Sequence, residues 1–269
     1  MERPVIAKHV FRVWAKEYVT PHYIRVTLEG EGAQAFAPCS LGANNKIMIP
    51  PSGQKAVKLA VWDDANSEWI LPAEHERPII RTYTHRAIDT ENNRIILEFV
   101  DHGDAGPASS WARRAEKGDE LGVAMKIKET QLYPTADWYL LVGDATAIPV
   151  LHVILESLPP EAKGHCIVEV HSADDVQADF SHPGFSIDWV FNAHPEKGST
   201  LYQKVLEADI PEGKESFGYV ACEYQSVKQI RAHFKHTLGW DNKSFYAFSY
   251  WKAGTAEDKS AQDRREENT

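Results

Sequence analysis

Cysteine is scarce in this chain. Only Cys39, Cys166 and Cys222 occur among 269 residues, far apart and with no C-x-x-C pair. Such usage predicts a reduced, cytoplasmic protein whose thiols act as small buried hydrophobes. Long apolar runs are also missing. No stretch reaches the ~18 apolar residues of a membrane-spanning helix, so no membrane association is expected. The opening MERPVIAKHVFRVWAKEY has no apolar core, and no secretory signal is expected from it. Positive charge is in deficit, with 29 Lys and Arg against 39 Asp and Glu and a net charge of −10. A general nucleic-acid binder is normally basic, so no nucleic-acid partner is expected. An anionic ligand has to find a local basic patch against the overall field. The chain also contains no G-x-G-x-x-G, and so lacks the usual dinucleotide fingerprint.

What is present is ordinary globular material, 43% hydrophobic and 25% charged. The length exceeds one typical domain of ~100–150 residues, and the patterning changes once along it. Residues 1–132 read as β. HYIRVTLEG alternates with Ile24, Val26 and Leu28 on one face, and RIILEFV does so with Ile95, Leu97 and Phe99. Short strands at NKIMI and VKLAVW, with Gly and Pro between them, predict a small antiparallel barrel, interrupted by a helix from PASSWARRAE. Residues 137–254 alternate apolar runs (WYLLVG, HCIVEV, IDWVFN, FGYVAC, SFYAFSY) with helical stretches. That order predicts a doubly wound parallel sheet. In the last helix Tyr224, Val227, Ile230, Phe234 and Leu238 form a core stripe. Residues 255–269 are polar and are expected to be a disordered tail.

Four stretches carry possible chemistry. RTYTHR (81–86) places Arg81 and Tyr83 on one strand face and Thr84 on the other. An arginine pairs with phosphate, a tyrosine ring stacks on a planar heterocycle, and a threonine hydroxyl reaches a ring nitrogen. A solvated edge strand is the bland alternative. HGDAGPASSWA (102–112) reads as a helix start, with Pro107 in the first turn and amides from Ala108 onward open to phosphate. VGDATAIP (142–149) is a strand-to-helix turn at a strand's carboxyl end, where ligands bind in parallel sheets. There Thr146 is expected to cap the helix, and Pro149 falls in its first turn. Finally, Tyr250 and Trp251 in SYWKAG either pack in the core, line a flavin face or sit at a domain boundary.

The order VTPHYIRVTL (19–28), RTYTHR, HGDAGPASSWA, GDATAIP (143–149) and YWKAG (250–254) resembles the siderophore-interacting proteins. These are FAD-dependent ferric-siderophore reductases of the ferredoxin-NADP reductase-like superfamily. The likeness runs from about residue 9 to 254. It implies an N-terminal flavin-binding barrel, a nicotinamide-binding α/β domain, and electrons passing from NAD(P)H through FAD to Fe(III)-siderophore. By position it implies that Arg81, Tyr83 and Thr84 hold FAD with Arg86 nearby. His102, Gly103, Gly106, Pro107, Ala108 and Ser109 would form the pyrophosphate loop. Asp144, Thr146 and Ala147 would line the nicotinamide side, and Trp251 is counted with the cofactor residues. Lys252 departs from the family's usual Arg and loses the planar fork. AMKIKE after ELGV departs as well, so that loop's contacts do not transfer.

Fe(III) accepts one electron and a nicotinamide gives two, which is the gap a flavin bridges. The chelator already ligates the iron, so no protein metal site is expected; His233 and His236 have no third partner in view. For an anionic ferric chelate Lys46 is the first basic candidate, followed by Lys126 and Lys128, and then Lys55 and Lys58. Asp174 and Asp175 in HSADD favour a ribose 2′-hydroxyl, and hence NADH, with NADPH or an iron–sulfur donor as alternatives. A monomer is expected. A general flavin reductase or diaphorase, or a non-catalytic binder of ferric siderophores, are the competing readings.

Overall fold

The computed structural model describes residues 5–257. It divides the chain into two compact units, Met1–Thr130 and Gln131–Thr269. The tail expected beyond residue 254 lies, after Glu257, outside the described residues.

The first unit contains β1 (Ile6–Thr20), β2 (Tyr23–Glu29), β3 (Asn44–Ile49), β4 (Val61–Asp63), β5 (Glu68–Ile70), β6 (Ile79–Thr84), β7 (Ala87–Asp89), β8 (Arg94–Val100), α1 (Pro107–Arg114) and β9 (Glu120–Lys126). Seven strands make one antiparallel sheet in the order β6-β3-β9-β1-β2-β8-β7, curled into a half-barrel. Its concave side holds Phe11, Phe36, Ile24, Leu28, Leu97, Phe99 and Leu121, all fully buried. The alternation of β2 and β8 is what delivers them there, since side chains two apart share a face.

Two details differ from the sequence reading. The long β1 carries little clean alternation because its pairing with β2 shifts register twice, between Val13 and Ala15 and again between Tyr18 and Thr20. VKLAVW is a strand only from Val61: the Val57 amide donates to Glu120 Oε2 at 3.0 Å instead of to a neighbouring strand.

The second unit contains β10 (Trp138–Asp144), α2 (Ile148–Ser157), β11 (Gly164–Val170), β12 (Phe185–Phe191), α3 (Leu201–Leu206), β13 (Ser216–Glu223), α4 (Tyr224–His236) and β14 (Phe245–Trp251). Its five strands are all parallel, in the order β12-β11-β10-β13-β14. That is the doubly wound arrangement, with the order reversing at β10. Val227, Ile230 and Phe234 of α4 are fully buried against the sheet, with Leu238 packed beside them. Cys39, Cys166 and Cys222 form no disulfide among the described residues and are buried, as small hydrophobes. No helix among the described residues is long and apolar enough to cross a membrane.

Candidate functional site

In the first unit two of the singled-out stretches converge. β6 is an edge strand paired only with β3, and Tyr83 leans inward from it onto Phe99, ring centroids 4.6 Å apart. Trp111 of α1 meets the other side of that neighbourhood, 5.7 Å from Phe99. One turn of aromatic packing therefore ties the polar strand to the helix. Ile79, two residues before Arg81, and Pro107 of the helix then line one cleft of about 610 Å³. Lys55, Trp111 and Arg114 share its walls with Asp104, Glu116 and Asp119, and of the predicted cofactor residues Pro107 alone lines it.

The loop entering α1 is fixed by its own hydrogen bonds. Ser109 Oγ accepts from the His102 amide at 3.1 Å and donates to the Gly103 carbonyl at 2.7 Å. The Gly103 amide donates to Asp101 Oδ1 at 3.0 Å. Gly103 has φ +80° and Gly106 lies so close to His102 that a Cβ would stand 2.6 Å from its Cε1. Asp104 is the wrong charge for a phosphate site, and Arg113 answers it at 3.0 Å. The Ala108 and Ser109 amides stand at the positive end of the helix. A half-buried tyrosine, an edge-strand arginine whose Nη1 donates to the Ile80 carbonyl at 2.7 Å, and a helix N-terminus are groups that suit a flavin dinucleotide chemically.

Of the six residues of RTYTHR, the last two go elsewhere. His85 is fully buried, neither ring nitrogen has a partner among the described residues, and burial pulls its pKa down to about 4. Arg86 is also buried, with Nε 3.8 Å from Glu98. Glu98 is wholly enclosed and gathers Arg25 at 2.7 Å and the Tyr23 hydroxyl at 3.1 Å. Burial first, and then this carboxylate, push the Tyr23 phenol well above its ordinary pKa. Glu98 reads in sequence as the polar side of an alternating strand, and only the fold reveals its enclosure.

The lysines separate clearly. Lys55 is paired with Glu116 and Asp119 at 3.0 and 3.1 Å, and Lys58 with Glu76. Lys46 donates to Thr82 Oγ1 at 2.5 Å across β3 and β6. Lys126 and Lys128 are exposed at the end of β9 and just beyond it.

In the second unit the turn after β10 is organised by Asp144. Its Oδ1 accepts from both the amide and the hydroxyl of Thr146, at 2.9 and 2.5 Å, and its Oδ2 from the Trp251 indole at 2.7 Å. The expected cap is thus reversed: Thr146 does not cap α2, whose N-cap position is Ala147, and Asp144 instead caps the preceding 3₁₀ turn. Burial raises the Asp144 pKa in spite of these donors. Pro149 does fall in the first turn of α2. Ala147 presses on Gly143, where a Cβ would meet the Ala147 Cβ at 2.6 Å. Trp251 is accordingly brought to Asp144, and Lys252 Nζ lies 4.6 Å over the Tyr224 ring. Glu223, which sequence reasoning passed over, joins them, accepting from the Gln225 and Ala253 amides at 2.5 and 3.2 Å.

Asp174 and Asp175 part company. Asp175 is buried in a capping box with Ser172, whereas Asp174 is exposed. His233 packs edge-on to Tyr202, and burial lowers its pKa. No cluster of three or more metal-binding side chains occurs among the described residues.

Residues 12–125 match the model of the siderophore-interacting FAD-binding domain, and residues 136–254 that of the siderophore-interacting protein. The chain is 31% identical to the ferric vibriobactin reductase ViuB of Vibrio cholerae over 251 residues, 93% of this chain and 91% of that one. Among solved structures it is similar to the siderophore-interacting protein SipS of Aeromonas hydrophila, with 30% identity and a TM-score of 0.82 over 98% of this chain and 99% of that one. A siderophore utilization protein from T. fusca gives 27% identity and a TM-score of 0.82, over 93% and 95% of the two chains.

Proposed function

The chain belongs to the siderophore-interacting protein family, and from that premise we propose that it is an FAD-dependent ferric-siderophore reductase. It oxidises NAD(P)H and releases iron as Fe(II), one nicotinamide serving two Fe(III) and yielding one proton. The observation that carries this reading is that Tyr83 of β6 and Trp111 of α1 both pack on Phe99, which brings the polar strand and the helix together.

When bound, FAD supplies the two-electron to one-electron conversion that neither nicotinamide nor iron provides. The protein's part is binding and electrostatics. In this reading Arg81 pairs with a phosphate, Tyr83 packs against the ring system from its Phe99 backing, and Thr84 offers a hydroxyl. Arg86 supports this end of the site through its charge and its Glu98 anchor. His102, Gly103, Gly106, Pro107 and the Ala108 and Ser109 amides cradle the diphosphate. The unit Gln131–Thr269 takes the nicotinamide, with Thr146 and Ala147 at the carboxyl end of β10. Asp144 and Trp251 fix that turn from behind. Lys46, Lys126 and Lys128 draw in the anionic chelate, and the reaction takes place in the cytoplasm.

The test is a visible spectrum of the FAD-loaded protein under argon, before and after NADH and then a ferric siderophore. Bleaching by NADH followed by recovery with the chelate, with Fe(II) trapped by a ferrous chelator, is the expected course. A protein that takes up no flavin overturns the reading.

A further inference from the structure

The β4–β5 hairpin takes no part in the flavin reading. Among the described residues it is a two-stranded sheet paired with no other strand, in the register Val61–Ile70, Trp62–Trp69 and Asp63–Glu68. Direct opposition puts Trp62 and Trp69 on one face and Val61 and Ile70 on the other. The two indoles meet edge to face, ring centroids 5.4 Å apart. Val61, Trp62, Trp69, Ile70 and Leu71 are all exposed, Trp69 by 54%. The hairpin therefore carries apolar side chains open to water on both faces.

An isolated two-stranded hairpin is marginal in water, and open apolar strand edges are ordinarily blunted by charge or proline. Here charge gathers at the tip, as Asp63, Asp64 and Glu68. The Asn66 side chain and then the Ala65 amide donate to Asp63 and hold its carboxyl below the usual range, so the tip stays anionic. The base has cations. Arg77 Nε donates to the Pro72 carbonyl at 3.1 Å, and Lys8 Nζ lies 4.7 Å from the Trp69 ring centre. Of the acids near that base, Glu76 is answered by Lys58 and Glu74 is left exposed.

Such a hairpin is complementary to itself after a half-turn. Setting β5 antiparallel to β5 of a second copy pairs the open backbone groups and lays each acidic tip beside the other base, with Asp64 and Glu68 toward Arg77. A lipid surface fits worse, because the tip opposes insertion among anionic headgroups. We propose that the β4–β5 hairpin is a self-association surface, through which two copies of this chain pair β5 to β5 about a twofold axis. Five apolar side chains per copy bury on the order of 1,000 Å² in all, the low end for specific interfaces, which sets a Kd of roughly 1–100 µM. This departs from the monomer expected of the sequence, and it stands apart from the reductase reading.

The experiment is sedimentation velocity of the FAD-loaded full chain from about 1 to 500 µM, bracketing that Kd. The weight-average mass is expected to climb from one chain toward two. Ile70→Lys puts on β5 the residue that guards natural strand edges and raises the Kd at least about tenfold. Arg77→Glu weakens association about threefold, and the exchanged pair Arg77→Glu/Glu68→Lys recovers it. That pair leaves the apolar side chains untouched, so it carries the test even if Ile70→Lys does not fold. Phe191→Ser, which removes an equally exposed aromatic (54%) from the second unit, leaves association unchanged. Flavin content and circular dichroism report which variants fold. One-chain mass across the whole range, or association untouched by both Ile70→Lys and Arg77→Glu, overturns the proposal.

Discussion

The indole N–H of Trp251 donates to Oδ2 of Asp144 at 2.7 Å, closing a separation of 107 residues. With Oδ1 already accepting from Thr146, the buried carboxylate is occupied on both oxygens. Trp251→Phe leaves Oδ2 without its donor and is expected to cost about 1–3 kcal/mol in urea unfolding near neutral pH. The sign with pH follows from burial, which raises the Asp144 pKa in the folded state. The folded form then holds the proton more firmly than the unfolded form. This group's contribution to stability is full below the unfolded value of ~3.9 and declines as pH rises through the folded one. Removing the indole raises the folded pKa further and deepens the decline. Parallel stability curves for wild type and variant between pH 4 and 7 would refute the coupling.

His85 works in the opposite direction. Its folded pKa is lowered to about 4, against 6.5 in the unfolded chain. The neutral ring therefore stabilises fully above pH 6.5, and stability is lost as the unfolded state takes up a proton between 6.5 and 4. The loss amounts to roughly 3 kcal/mol at the acid end. His85→Leu removes a buried ring without hydrogen-bond partners among the described residues and should flatten that acid limb in a series of thermal melts. A limb of unchanged steepness assigns acid sensitivity to other groups.

Arg81 and its replacements separate charge from geometry. Arg81→Ala is expected to weaken FAD binding about 10- to 100-fold, read by flavin fluorescence during titration. Arg81→Lys recovers only part of it, because an ammonium lacks the planar fork that grips two phosphate oxygens. Full recovery by lysine would reduce the contact to a point charge.

The two adjacent acids of HSADD make opposite predictions. Asp174→Ser should raise kcat/KM with NADPH relative to NADH about tenfold, by removing a carboxylate that repels a 2′-phosphate. Asp175→Asn should leave that ratio alone and destabilise the fold by about 0.5–2 kcal/mol, because Asp175 accepts from the Ser172 amide and hydroxyl at 3.1 and 3.0 Å. A shift of donor preference in the second variant would reverse the roles.

Local chemistry alone determined a great deal about this protein. Alternation in β2 and β8, Pro107 and Pro149 in first turns, and the stripe on α4 are set by neighbours a few residues apart. So is the order of the motifs that marks the family, and all of these are legible in one dimension. The tertiary structure decided which polar atoms remain available. Thr146 lost its capping role, Asp175 was buried and Asp174 left exposed, and Glu98 became the centre of an enclosed knot. Each outcome depends on a partner's distance and on exclusion of water, and spacing along the chain encodes neither. Strand pairing is the plainest case: Lys8, Ala124 and Lys46 lie on three separate strands, β1, β9 and β3, and only sheet register sets Ala124 between the two lysines.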